Sequence, residues 1–297
     1  MSPVLGTPEE RGPRDDRVDE VDGKDERLER LERELALLDR VVVAFSGGAD
    51  SSLLAAAATR RLGADQVRCV TAVSPSLAPE ELEDCAAFAA EWGLRWSTVE
   101  TRELDVADYA ANGLDRCYHC KVQLMEALAP IAAAEGAVVA LGVNLDDLDD
   151  HRPGQRAARS AGAAFPLVGA GLTKAAVRDL SRALGLRTWD KPAAACLASR
   201  VPHGTAISAE LLGRLARAES ALRRIGFRAL RVRHYGDLAR VELPAGDLAR
   251  AVERRDEVVA AVHGAGYRYV TLDLEGLRPG NLARAALEAR EHARAGS

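Results

Sequence analysis

Aromatic residues are scarce in this 297-residue chain: Phe, Trp and Tyr together make up 4% of it. Long apolar runs are missing too. Stretches such as "LLAAAA" fall far short of the ~20 residues that a membrane-spanning helix needs. The first residues, "MSPVLGTPEERGPRDD", show no basic patch leading into an apolar core, which argues against a secretory signal and for a cytoplasmic protein. Basic excess is absent as well. The net charge is −5, and the first forty residues carry 8 Lys+Arg against 13 Asp+Glu, so the rest balances at 32 each. Proteins that hold a long nucleic acid gain affinity by neutralising phosphates, so nucleic acid is not the expected partner. What remains is a chain of 47% hydrophobic and 29% charged residues, soluble, globular and long enough for two domains.

Five cysteines, Cys69, Cys85, Cys117, Cys120 and Cys196, without a secretion signal point to thiol, metal or redox chemistry rather than disulfides. Cys69 in "VRCVTAV" and Cys85 in "ELEDCAAFAAEWG" read as buried core residues. The other three lie in polar surroundings.

Residues 1–23 are polar and acidic and read as a disordered tail. From Lys24, Leu28, Leu31, Leu35 and Leu38 recur at steps of three and four, one apolar seam on a helix that docks on the main domain. Apolar runs at 41–45, 67–73, 94–99 and 137–141 then alternate with helical stretches around 50–62, 79–92, 119–135 and 173–186. Such alternation implies an α/β fold with a doubly wound parallel sheet. After Gly204 the order becomes α-β-β-α-β. The expected division is a sheet domain over 24–203 and a smaller C-terminal α+β domain over 204–297.

"VVVAFSGGADSS", residues 41–52, is a strand that turns through two glycines into a helix. Backbone N–H groups and the helix dipole then face an anion, and glycine lets the backbone approach it closely. Ser46, Ser51 and Ser52 add hydroxyls, and Asp50 suits a Mg²⁺ ion. The lysine of the common nucleotide loop is absent, so ATP is used differently. Ser46-Gly47-Gly48-Ala49-Asp50-Ser51 resembles the SGGxDS signature of the PP-loop ATP pyrophosphatases, a HUP-like α/β group. The resemblance implies that the loop clamps the pyrophosphate end of ATP while a substrate oxygen attacks the α-phosphate.

"LGVNLDDLDDHRPG" follows the fourth strand. The carboxyl ends of strands near the switch point form the ligand crevice, so Asn144, Asp146, Asp147 and Asp150 are candidates for metal or ribose, and Arg152 for an anion. Lys174 and Arg178 share a helical face. Lys174 is a candidate for ATP phosphates or for the charge on departing pyrophosphate.

"WDKPAAACLASRVPHGTAIS" and "RVRHYGDLARVE", together with the phosphate loop and the acidic loop, resemble the LarE family of ATP-dependent sulfur transferases in nickel-pincer nucleotide biosynthesis. The likeness covers roughly residues 25–280. It implies a homo-oligomeric enzyme whose substrate is pyridinium-3,5-biscarboxylate mononucleotide, each carboxylate being adenylated and converted to a thiocarboxylate. Cys196 matches the family's sulfur-bearing cysteine, with Ser199 and Arg200 orienting the activated acyl group. Arg231 and Arg233, two apart on a strand, match the pair that grips the substrate phosphate bidentately. Glu242 matches an acidic site residue, and Glu219 less closely.

"RCYHCK" spaces Cys117 and Cys120 as metal ligands often are. His119, between them, is poorly placed to complete a zinc site. With Cys196 they supply three thiolates, which suits a [4Fe–4S] cluster with one iron open for a transferable sulfide. Cys196 as a sacrificial sulfur donor is the alternative. A tRNA thiolase of the same superfamily and a non-catalytic nucleotide-binding regulator are the rival functions. An amide synthetase would need an ammonia source, and no glutaminase domain is recognisable.

Overall fold

The structure, a computed structural model, describes residues 16–148, 153–192 and 195–278. Asp150 and Arg152 lie outside the described residues, as do residues 1–15 of the acidic tail. Helix α1 (Asp16–Ala36) starts earlier than the leucine spacing alone marks. Leu31 and Leu35 on its seam are fully buried, and Leu28 and Leu38 pack on the same core.

The first sheet consists of β1 (Val41–Ala44), β2 (Val67–Val73), β3 (Trp96–Glu100) and β4 (Val138–Leu141), all parallel, in the order β3-β2-β1-β4. Between the strands run α2 (Ala49–Leu62), α3 (Pro79–Glu91), the single turn α4 (Ala107–Ala110) and α5 (Arg116–Glu135). Then come α6 (Pro153–Ser160), the turn α7 (Pro166–Gly169) and α8 (Lys174–Ala183).

Successive strand residues point to opposite faces, and β1 obeys this. Val41, Val43 and Phe45 bury into one core with Leu31, Leu53, Phe88 and Val177 from α1, α2, α3 and α8. Val42 faces the other way, into a core with Met125, Leu128 and Ala158 from α5 and α6. Both faces are covered, so the sheet is doubly wound. The chain moves outward from β1 to β3 and returns to β4 on the far side of β1. The crevice therefore opens beyond the carboxyl ends of β1 and β4.

The second sheet orders β5 (Arg231–Tyr235), β6 (Leu238–Glu242) and β7 (Tyr269–Leu272), with β5–β6 antiparallel and β6–β7 parallel. Helices α9 (Ala209–Arg224), α10 (Leu248–Glu253) and α11 (Arg255–Gly264) accompany it, closing a core around Leu215, Phe227, Val232 and Val241. Leu197, Ala198 and Val201 pack in this second core. The Cys196 segment thus belongs physically to the smaller unit, upstream of the break in rhythm at Gly204.

The junction between the units is hydrogen-bonded. The buried Asn112 takes a left-handed φ of 57°, which asparagine tolerates, and donates to the Pro202 carbonyl at 2.9 Å. Arg116 donates to the Ala198 carbonyl at 2.9 Å and to Asn112 Oδ1 at 2.6 Å. Among the described residues no helix is long and apolar enough to cross a membrane.

Candidate active site

The turn after β1 is shaped by its own hydroxyls. Ser51 Oγ donates to the Gly48 carbonyl at 3.2 Å and accepts the Ser46 N–H at 3.3 Å, and the two hydroxyls lie 3.1 Å apart. Gly47 takes the left-handed φ of 66°, and a Cβ there would meet Cys85 Sγ at 2.7 Å. Gly142, just after β4, is equally tight: its Cβ would lie 2.7 Å from the Ser51 nitrogen. Glycine is required at both places because backbone or a buried thiol fills the space.

Asp50 accepts the Asn144 side-chain N–H at 2.8 Å, which ties the loop to the end of β4. Burial lifts the Asp50 carboxyl above the usual range, and Asp147 adds to this, while Asn144 and Lys174 oppose it. Asn144 and Asp147 cap each other across a short turn, and Asp146 accepts the Lys174 backbone N–H at 2.8 Å. Ser52 lies apart. It is fully buried, its hydroxyl has no partner among the described residues, and it lines neither cavity below.

Two cavities flank the loop. One, of about 150 Å³, is walled by Ser46, Gly48 and Asp50 together with Lys174, Arg178 and Lys191. Among the described residues Lys174 and Arg178 make no ion pair, and the buried Arg178 Nε has no hydrogen-bond partner. Lys174 and Arg178 beside a helix N-terminus favour an anion there, with Asp50 the acid in the same wall. The second cavity, about 230 Å³, opens over the ends of β1, β2 and β4. Its walls are mainly apolar, with Leu77, Leu124 and Val143, and Lys121 and Asp50 are its charged members.

Around Cys196 the charges are matched. Arg200 forks onto Glu219, Nε to Oε1 at 2.9 Å and Nη2 to Oε2 at 3.1 Å. Its third donor group reaches the Ala195 carbonyl at 2.6 Å and Ser199 Oγ at 3.1 Å. Arg233 forks onto Glu242 at 2.9 and 2.8 Å and donates to the Ser199 carbonyl at 2.8 Å. Both glutamates are fully buried. Glu219 also accepts from Arg223 and from the Val232 N–H. The backbone bond from Leu197 N–H to the Ser76 carbonyl, 2.9 Å, fixes the loop from the sheet side.

Arg233 therefore uses three of its five N–H groups on Glu242 and the Ser199 carbonyl of the Cys196 loop. Arg231 differs. Among the described residues it has no ion pair, only a long contact to the Arg278 carbonyl at 3.5 Å. Burial, then Arg233 and Arg200, lower its pKa, as expected for a cation among cations. Register explains the split: Glu242 lies opposite Arg231 in the ladder, yet the fork comes from the diagonal neighbour Arg233.

Cys117 and Cys196 are exposed and Cys120 is partly so. Burial pushes the Cys120 thiol up to about 12, and the neighbouring Cys196, Glu103 and Cys117 act on it. Burial, then Cys196, also raises the Tyr109 phenol, whose hydroxyl lies 2.6 Å from Ser76 Oγ. In kind, three soft thiols fit an iron–sulfur cluster. In arrangement, no group of three His, Cys, Asp or Glu is assembled as a metal site among the described residues. Cys69 and Cys85 are fully buried.

Lys191 and Arg116 were not marked by the sequence. Lys191 sits in "WDKPAAACLASR", yet its partner Gly47 is distant along the chain, and no spacing rule connects them.

The pyridinium-3,5-bisthiocarboxylic acid mononucleotide synthase of Lactiplantibacillus plantarum is 38% identical over 249 residues, 82% of this chain and 89% of that protein. The chain belongs to this family, LarE. A match of that length reaches into both sheet-bearing units. An uncharacterized protein of Synechocystis sp. is 46% identical over 250 residues, 83% of this chain and 93% of its own. One of Methanocaldococcus jannaschii is 26% identical over 237 residues, covering 80% and 90%. The NAD synthase family model matches residues 29–118, which span β1 to β3 and the phosphate loop.

Proposed function

We propose that the protein is an ATP-dependent sulfur transferase that makes the bisthiocarboxylate of a pyridinium mononucleotide, the product for which the Lactiplantibacillus relative is named. One observation carries the reading. The cavity beside the phosphate loop is walled by Leu77 and Lys121, which adjoin Ser76, the anchor of the Cys196 loop, and Cys120.

The cationic cavity takes the β,γ-phosphates of ATP against Lys174 and Arg178, and the apolar cavity takes the adenosine. Mg²⁺ would be held by Asp50 and would neutralise phosphate charge. A substrate carboxylate oxygen attacks the α-phosphorus, the bond to the β-phosphate oxygen breaks, and pyrophosphate leaves. Sulfur then attacks the acyl carbon of the adenylate and AMP departs. Arg231 holds the substrate phosphate, while Arg200 and Ser199 keep the Cys196 loop beside the acyl group. The same division accounts for a small-molecule partner, without nucleic acid.

A [4Fe–4S] cluster on Cys117, Cys120 and Cys196 would supply the sulfur as sulfide at an open iron. The exposure of Cys196 favours a second reading, in which its thiolate displaces AMP from the adenylate and loss of the Cα proton then breaks the Cβ–Sγ bond, releasing the thiocarboxylate and leaving a dehydroalanine.

Anaerobic purification with iron and sulfide analysis, alongside ATP-dependent thiolation of the pyridinium dicarboxylate nucleotide, separates them. Iron lost in Cys117→Ala together with repeated turnover by the wild type supports the cluster. Iron-free protein that thiolates once supports the sacrificial thiol. Absence of both thiolation and pyrophosphate release contradicts the function itself.

A further inference from the structure

Lys191 borders the phosphate cavity, but its ammonium is turned toward protein. Nζ donates to the Gly47 carbonyl at 3.1 Å, to Glu81 Oε2 at 2.8 Å and to Asp84 Oδ2 at 2.5 Å. These three acceptors match the three hydrogens of an ammonium. Burial alone would make the ammonium easier to deprotonate, and the two carboxylates more than reverse this, so it stays charged.

The Gly47 carbonyl is one end of the Gly47–Gly48 peptide. Because that unit is planar and trans, the Gly48 N–H is fixed antiparallel to the carbonyl. Whatever orients Gly47 O also orients Gly48 N–H. Gly48 walls both cavities and caps α2. Gly47 has no side chain to resist a peptide flip, and glycine tolerates either sign of φ. On one side Cys85 Sγ fills the space a Cβ would need; on the other, Lys191 holds the carbonyl. The support for both comes from α3, which carries Glu81, Asp84 and Cys85.

We infer that Lys191 is a positioning residue for the phosphate loop: anchored by Glu81 and Asp84, it fixes the Gly47–Gly48 peptide so that the Gly48 N–H faces the pyrophosphate of ATP. The inference rests on the ATP-dependent reading above. It assigns a purpose to two carboxylates that a purely electrostatic view would count as harmful beside an anion site.

That conflict gives a test of sign. Glu81 makes its ion pair with Lys191 and no other cation among the described residues, so Glu81→Gln removes one negative charge near the phosphates and one charge-assisted anchor. A pure field effect tightens ATP binding. Positioning loosens it, by about three- to tenfold for the loss of one such bond. Mg-ATP binding to the full-length protein is measured by calorimetry for wild type, Glu81→Gln, Lys191→Arg and Lys191→Met, with thermal unfolding recorded on each.

The expected order of affinity is wild type, Glu81→Gln, then Lys191→Met, with Lys191→Arg recovering part of the loss because a guanidinium still reaches acid and carbonyl. Tighter or unchanged binding in Glu81→Gln, in a protein that unfolds at the wild-type temperature, overturns the inference alone. Wild-type protein that does not bind Mg-ATP overturns the ATP reading, and the inference with it.

Discussion

Two regions of the crevice handle positive charge in opposite ways. At the phosphate loop, Lys174 and Arg178 share a cavity wall with Asp50 but form no ion pair among the described residues. At the sulfur loop, Arg200 and Arg233 each fork onto a fully buried glutamate. A buried charge is tolerated only when paired, so the matched arginines are architecture that holds Cys196 in place. An unmatched cation at a helix N-terminus awaits an anion from outside. On the proposed function, the same residue type is framework in one region and ligand in the other.

The contrast can be broken at either end. The largest effect is expected at the sulfur loop. Arg200→Met leaves Glu219 buried with one fewer counter-charge, and loss of one partner of a buried pair costs about 3–5 kcal/mol. Urea unfolding of the purified variant should show that loss. Arg178→Met should do the reverse, with stability within about 0.5 kcal/mol of wild type but Mg-ATP affinity down about tenfold, as for a lost hydrogen bond to a charged group. Equal stability losses in the two variants would erase the distinction.

Asp50 sharpens the comparison through pH. Burial raises its folded pKa, so the folded protein loses stability as pH rises from the unfolded carboxylate range through the folded value. Asp50→Asn removes that cost, and the ligand-free variant should melt at a higher temperature than wild type at neutral pH. On the proposed function, Asp50 must also be ionised to hold Mg²⁺. Wild-type Mg-ATP binding should therefore weaken on acidification, starting above the ordinary carboxylate range, and this step should be missing in the variant. The smallest effect is expected at Arg231→Lys, which keeps the charge but loses the fork: a higher KM for the nucleotide at unchanged ATP affinity.

Much of the scaffold was legible locally. The run Val67–Val73 is a strand with those bounds, and the leucine seam of α1 points at the core, because period and burial are properties of neighbours in sequence. The glycine-serine loop is legible for the same reason. Pairings across the chain are not. Periodicity puts Arg231 and Arg233 on one face, but only the register with β6 decides which of them Glu242 engages. Lys191 finds Gly47 only after the sheet has closed, and Arg116 finds Ala198 only once the two units have met. Ser52 shows the converse: its motif position suggests a ligand hydroxyl, whereas the helix turn directs it into the core.

The central claim is that carboxylate activation belongs to the phosphate loop and sulfur delivery to the Cys196 loop. Carboxylate-dependent exchange of labelled pyrophosphate into ATP, measured for Cys196→Ala beside thiolation, tests it most directly. Exchange at the wild-type rate with no thiolated product is the predicted result. Loss of exchange in a folded variant that still binds Mg-ATP would contradict the division.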